Sequence, residues 1–405
     1  MPRGRSCACA RNGARGRRDT AAVRVAVARR PSVPAVYRVR LAEPARDNEH
    51  PAGSAAGGSQ RPVGEVRGCG VRRGPVVGVD AGGTKVLAVR LGPDLAVERE
   101  LLRQWQERGR EAVIDLLLTV CRELADGEDP LAFGFGLPAL VPKERGAIPY
   151  STHLPLEGVD FRALAEAALG RPVAVDNDVN CALRGEAALG AARGARDAVM
   201  LTLGTGIGGA ILCDGQLCRG ARGFAGELGH IPVAGRTERC QGKCPGEGCL
   251  EAVASGGALD RAAREAAERG TIAALAARAR RGEAVDGALV TALALAGDAD
   301  CRALLATLGE QLGAGLVAVA NAFDPEVIVI GGGLARAGEL LLAPAKRVLR
   351  QRALPGIGDS VRVERAQLGE RAGAVGAAIM ALEMATGASE RSVTESAAPS
   401  GGSDG

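Results

Sequence analysis

The sequence predicts an α/β fold built from two similar halves. Strands alternate with helices along most of the chain, the grammar of sheets layered with helices. An apolar strand, a Gly/Thr turn and a returning strand also occur twice, at 76–89 and again at 198–213, as a duplicated domain would show. With 405 residues, 46% of them hydrophobic, the chain has enough apolar material to bury such a core.

The first 74 residues stand apart. They contain 16 Arg, no Lys and 5 acidic residues, an excess of +11, in Ala-, Gly- and Pro-rich sequence without sustained periodicity. This leader reads as disordered. Its Arg richness is that of an organelle transit peptide or a basic nucleic-acid arm. The absence of Lys and scarcity of Ser favour upstream sequence translated from a misplaced start, and no helix-turn-helix pattern is visible.

Order is expected from Pro75. Val76-Val77-Gly78-Val79-Asp80, a glycine turn and Lys85-to-Val89 form a predicted β-hairpin. A helix at about 109–125, a strand at 131–136, a loop through Thr152, a helix near 160–169 and a strand at 172–175 complete a first domain, 75–192. The second, 193–386, opens with strands at 198–203 and 207–213. It continues through Ala-rich helices at about 256–281, 286–297 and 300–322, a strand at 327–330, and helices at 334–352 and 371–386. Residues 387–405 form a Ser-, Gly- and Ala-rich tail expected to fray.

Charge and composition exclude several functions. The formal charge is +4 overall, but 35 basic and 42 acidic residues remain after position 74, so the folded part carries −7. An acidic globule with 2% aromatic residues offers neither the phosphate neutralisation nor the stacking surface of a nucleic-acid binder. No run of eighteen apolar residues predicts a membrane span. The 11 Cys are mostly scattered, as free thiols in a reducing cytosol would be.

Four segments carry chemistry. In Asp80-Ala81-Gly82-Gly83-Thr84-Lys85, glycines at a strand end are expected to take positive φ, so that backbone N–H groups converge on a phosphate. Asp80 suits a hydrated Mg²⁺; an ordinary hairpin turn is the competing reading. Leu203-Gly204-Thr205-Gly206-Ile207-Gly208-Gly209 has dinucleotide-like glycines but opens a strand rather than a helix, against a Rossmann site. Two such hairpins predict a nucleotide phosphate chain held between the halves. A third run, Gly331-Gly332-Gly333, suits an adenosine or ribose contact or simply close packing of a helix on the strand.

At Val175-Asp176-Asn177-Asp178-Val179-Asn180 a strand runs straight into a helix. Polar residues gather at its carboxyl end, where α/β sheets hold ligands. Asp178 is the candidate base for a substrate hydroxyl and Asn177 a positioning residue, with Asp176 or Asn177 as a simple helix cap in the alternative. Finally, Gly220-to-His230 precedes Cys240, Cys244, Cys249 and Glu251. Three thiols and the imidazole of His230 supply a Cys₃His zinc site, structural because no position is left for water. Glu227 and Glu251 flank it, free to bind hydroxyls.

Over 75–386 these residues resemble the ROK family of sugar kinases and repressors, most closely its bacterial glucokinases. The matches are Asp80-to-Lys85, Asn177-Asp178 with Asn180, Gly204-to-Gly209, and Gly220-to-His230 followed by the cysteines. The resemblance implies a duplicated ribonuclease H-like fold of the actin and hexokinase type, with a cleft between its domains. It implies that MgATP and a sugar are bound there by a cytoplasmic homodimer. Asp178 would be the base, and Asn177, Glu227, His230, Glu251 and Thr152 the sugar contacts, His230 also binding zinc through its other nitrogen. The chain departs from the family twice. Cys240-x-x-x-Cys244-Pro245-Gly246-Glu247-Gly248-Cys249 is two residues longer than the usual cysteine pattern, and Pro138-Ala139 replaces Pro-Gly in the sugar loop.

Overall fold

A computed structural model of the protein describes residues 74–387, so the leader before residue 74 and the tail after 387 lie outside the described residues. The first half runs β1 (Val76–Ala81), β2 (Lys85–Leu91), β3 (Val97–Gln104), α1 (Arg110–Ala125), β4 (Phe133–Leu137), β5 (Ala139–Leu140), β6 (Tyr150–Ser151), α2 (Phe161–Leu169), β7 (Val173–Asn177) and α3 (Asp178–Leu189). The second half begins β8 (Ala198–Leu203), β9 (Ile207–Cys213), β10 (Gln216–Leu217), α4 (Leu250–Ala254), α5 (Gly256–Arg269), α6 (Ala273–Arg280), α7 (Gly287–Leu295) and α8 (Ala299–Phe323). It ends β11 (Val327–Gly331), α9 (Glu339–Arg352), α10 (Ile357–Ser360), β12 (Arg362–Arg365) and α11 (Ala372–Thr386).

The duplication is visible in the sheets. One has the order β3-β2-β1-β4-β7 and the other β10-β9-β8-β11-β12. In each, three strands pair antiparallel and the first of them then pairs parallel with a fourth, which pairs parallel with a fifth. Strands β1, β4, β8 and β11 are almost wholly buried, which explains their uninterrupted apolar runs.

The structure corrects several expected elements. Strand β3, Val-Glu-Arg-Glu-Leu-Leu-Arg-Gln, was not anticipated: it is an exposed edge strand and so carries charge in place of an apolar alternation. Strand β12 also lies at an edge, with only Val363 of its residues buried. The single helix expected over 256–281 is broken into α5 and α6, because Gly270 takes φ 69° and caps α5 in the left-handed region. The helix expected from 334 begins at Glu339, after a 3₁₀ turn and Gly338 at φ 58°.

Helix α11, grouped by sequence with the second half, lies against β1, β4 and α3 of the first. Small residues make this approach possible. A Cβ at Gly376 would overlap the Cys181 carbonyl oxygen of α3, and one at Gly185 would come within 2.6 Å of the Ala372 carbonyl oxygen. Arg184 and Glu383, both buried, lock the same two helices, Nε to Oε1 at 2.9 Å. The consequence is a fixed position for the start of α3.

Helix α8 is, among the described residues, long and apolar enough to cross a membrane by length and composition alone; half of that stretch is buried within the fold. It packs on α9 and α7, and its buried Leu305, Leu312 and Leu316 belong to the core of the second half.

Candidate active site

Strand β7 passes into α3 without a loop. Asn177 is the cap: its Oδ1 accepts from the backbone N–H of Val179 at 2.9 Å and of Asn180 at 3.3 Å, and its Nδ2 donates to the Ala139 carbonyl at 3.4 Å. Asp176, 4% exposed, accepts from Asn177 N, Asn180 Nδ2 and Arg219 Nε at 2.7, 2.8 and 2.6 Å. With capping and bracing done by these two, Asp178 is left for other work. Desolvation pushes its carboxyl up to about 6, the charge of Glu227 adding to this against the restraining Val179 N–H. Asp80, at the end of β1, is pushed up to about 8 by desolvation and by the charge of Asp178, with Lys85 opposing. The two carboxyls therefore share one floor.

Both glycine turns are hairpins, but they work differently from the expectation. Gly82, Gly83, Gly204 and Gly206 have no positive φ among the described residues; Gly83 and Gly206 are instead held to glycine by close neighbours, while Gly204 has open space where a Cβ would be. A Cβ on Gly83 would stand 3.2 Å from the His153 ring, next to Thr152. The Gly82 carbonyl accepts from Trp105 Nε1 at 2.9 Å and the Gly83 carbonyl from Arg108 Nη2 at 2.8 Å. A Cβ on Gly206 would overlap Glu251 Oε2, the oxygen that accepts from Ile207 N at 2.8 Å. The turn is closed from behind by the start of α5, whose Gly256 and Gly257 N–H groups donate to the carbonyls of Gly204 and Thr205 at 2.8 and 3.1 Å.

Three contacts join the pieces. A Cβ on Gly208 in β9 would lie 2.5 Å from Val179, the residue after Asp178. Gly332, at φ 81°, has the Leu203 backbone where its Cβ would be, so glycine there is required by packing; Gly333 follows with open space around it. Glu370 accepts from Lys85 Nζ at 2.5 Å and from Arg336 Nη2 at 3.0 Å, linking the first turn to the segment after the third glycine run.

The remaining candidates are Thr152, Glu227, His230 and the cysteines. Thr152 N and Oγ1 both donate to the Pro138 carbonyl, at 3.0 and 3.2 Å, beside Ala139. Glu227, raised by desolvation and by Glu251 against the pull of His230, has Oε2 3.9 Å from His230 Nε2. His230 Nδ1 faces the other way, 3.5 Å from Cys240 Sγ. Cys244 and Cys249 Sγ are 4.0 Å apart, and one donor atom from each of His230, Cys240, Cys244 and Cys249 lies within 4.8 Å of the others. A tetrahedral zinc with Zn–S near 2.3 Å needs sulfurs about 3.8 Å apart, so the donor set fits the metal. Burial pushes the thiols of Cys240 and Cys249 up, and a bound cation would reverse this.

Comparison with known proteins decides the family: the ROK family model matches residues 76–384. The chain belongs to the ROK family. A glucokinase of Thermotoga maritima is 32% identical over 310 residues, 76% of this chain and 97% of that one. The crystal structure of a ROK family glucokinase from Streptomyces griseus in complex with glucose and AMPPNP matches with a TM-score of 0.67 and 32% identity, over 76% of this chain and 99% of that one. A xylose repressor of Caldicellulosiruptor bescii is 30% identical over 252 residues, 62% of each chain. The ROK fold is of the actin and hexokinase type, and the paired sheets are its two halves.

Within this ROK chain the longer cysteine loop uses its extra residues. Gln241 Nε2 donates to the Thr205 carbonyl at 3.2 Å and to Ser255 Oγ at 3.1 Å, while Lys243 Nζ reaches Glu157 at 3.3 Å and lies over the Tyr150 ring. Trp105, Arg108, Gln241, Glu370 and the Asp176–Arg219 pair escaped the sequence reading. Each acts on a partner more than twenty residues away, and no local pattern marks such a role.

Proposed function

We propose that this ROK sugar kinase transfers the γ-phosphoryl group of ATP to the 6-hydroxyl of glucose. The observation that carries the reading is that Asp80 lies at the end of the strand leading into the first glycine turn while Gly206 of the second turn packs on Glu251 and Gly208 of β9 on Val179, the residue after Asp178. The glycine turns Gly82-Gly83-Thr84 and Gly204-Thr205-Gly206, with Lys85, grip the phosphates of the nucleotide, and Gly332-Gly333 take its ribose or base. Asn177, Thr152, Glu227, His230 and Glu251 hold the sugar hydroxyls and so fix the reacting one against Asp178. Asp178 accepts the hydroxyl proton as the oxygen attacks, worth about 10²–10⁴-fold; positioning and charge neutralisation supply the rest.

Asp80 would hold Mg²⁺, which when bound neutralises phosphate charge. His230 and the three cysteines would hold one zinc ion. That grip on Nδ1 leaves Nε2 toward Glu227 and the sugar, so the metal's part is to fix an imidazole. We place the protein in the cytoplasm, where ATP and reduced thiols occur together, and expect a homodimer on the family resemblance.

Two readings compete. A kinase for N-acetylmannosamine or fructose, or one using polyphosphate, would share this floor, and Ala139 in the sugar loop is where selectivity for another sugar would enter. A sugar-responsive repressor is favoured by the likeness to the xylose repressor, but the retained Asp178 supports an enzyme. A coupled assay across a hexose panel, run with ATP and with polyphosphate, is expected to show turnover highest with glucose and ATP. Turnover on no hexose, together with DNA retardation by the full-length protein, would reverse the assignment.

A further inference from the structure

One cavity is lined by Asp176 but not by Asp178. It has a volume of about 360 Å³ and is walled by the segment after β5, by α2, β7, α11 and the loop carrying Arg219. Asp176 lines it while Asn177, Asp178, Glu227 and Glu251 do not, so the cavity does not take in the candidate catalytic residues. The volume is in the range of small-ligand pockets, about 300–1,000 Å³.

Its charges do not balance. Three cations, Lys143, Arg162 and Arg219, line it together with two carboxylates, Asp176 and Glu383. Each carboxylate is already engaged, Asp176 by Arg219 and Glu383 by the buried Arg184. Among the described residues no carboxylate pairs with Lys143 or Arg162. Arg162 donates from Nη2 to the Val175 carbonyl at 3.3 Å, but its Nε is buried without any hydrogen-bond partner. A buried charged donor left unpaired is costly, and an incoming oxygen removes that cost. The rest of the lining, Val141, Pro142, Ala174, Val175, Met380 and Met384, is apolar.

We propose that this cavity is a second binding site, for a small organic phosphate. Arg162, half-buried, and Lys143, exposed at the rim, have no carboxylate partner among the described residues and suit an anionic phosphate, and the apolar wall suits an uncharged carbon body attached to it. The site is also placed to influence catalysis. Arg219 comes from the second half and Asp176 from the first, and Asp176 braces both Asn177 N and Asn180 Nδ2. An anion that draws the Arg219 guanidinium toward itself loosens Asp176 and with it the strand-to-helix junction that carries Asp178. This last consequence rests on the proposed kinase reaction; binding itself does not.

The test is calorimetric titration of the full-length protein, first saturated with glucose and Mg-AMPPNP so that the catalytic phosphate positions are filled. Glycerol 2-phosphate is expected to bind at one site per chain, more tightly than inorganic phosphate, and the Lys143→Ala/Arg162→Ala variant to bind it at least about tenfold more weakly. Thermal melting of that variant, expected to match the parent, excludes loss of fold as the cause. Absence of binding to the saturated protein, unchanged affinity in the variant, or equal affinity for the two phosphates would overturn the proposal. If the chain binds neither glucose nor AMPPNP, the proposed reaction is at fault, and the comparison of parent and variant still decides the cavity.

Discussion

Gly206→Ala is the substitution that most sharply probes how the nucleotide and sugar sides are joined. The new methyl would overlap Glu251 Oε2 and stand 3.0 Å from its Cδ. That oxygen accepts from Ile207 N at 2.8 Å, and the other carboxylate oxygen is 3.7 Å from Cys240 Sγ, so the carboxylate has little room to retreat. Rotating it away forfeits a hydrogen bond to a charged acceptor, about 1.5–3 kcal/mol, which is roughly 10- to 150-fold in kcat/KM. If Glu251 holds the sugar as proposed while bracing the second glycine turn, KM should rise for glucose and for ATP alike. Steady-state kinetics with each substrate varied in turn measures this. A change confined to the ATP constants, or kcat/KM within twofold of the parent, would refute the coupling.

Other consequences follow from the same geometry. If the Cys₃His set holds zinc as proposed, freshly purified protein should contain about one zinc per chain, and after chelation glucose KM should rise before ATP KM does, because His230 would lose its anchor. Plots of kcat/KM against pH should fall on the acid side with a midpoint near 6, where Asp178 is protonated and cannot act as base. Gly376→Ala would drive a methyl into the Cys181 carbonyl and, at about 1–3 kcal/mol for such overpacking, should lower the thermal midpoint by several degrees; an unchanged midpoint in a melting experiment would show that α11 and α3 can separate freely.

Much of this was legible in the sequence because the informative groups are local. The strand-to-helix junction at Asp176-Asn177-Asp178 places its polar residues by itself, and the two glycine hairpins need only neighbouring strands. The convergence of His230 and the three cysteines could be read from spacing, since they lie within twenty residues of one another. What stayed hidden depends on contacts distant in sequence. The function of Asp176 is set by Arg219, the Gly82 and Gly83 carbonyls are held by Trp105 and Arg108, and Lys85 is held by Glu370. The reason for the glycines was also hidden: Gly206 and Gly208 are glycine because Glu251 and Val179 occupy the space beside them, which no turn statistic contains. Edge strand β3 was invisible because hydropathy reports burial, and β3 has little.

Replacing Asp178 by Asn reaches the heart of the account. The carboxyl ionises near 3.8 in an unfolded chain and at about 6 in the fold, so its charge costs the fold nothing below about pH 4 and its full penalty above about 6. At pH 8 Asp178→Asn should therefore reduce glucose phosphorylation about 10²–10⁴-fold, retain glucose binding by calorimetry, and melt no lower than the parent. Turnover within a few-fold of the parent in that variant would contradict the assignment of Asp178 as the base.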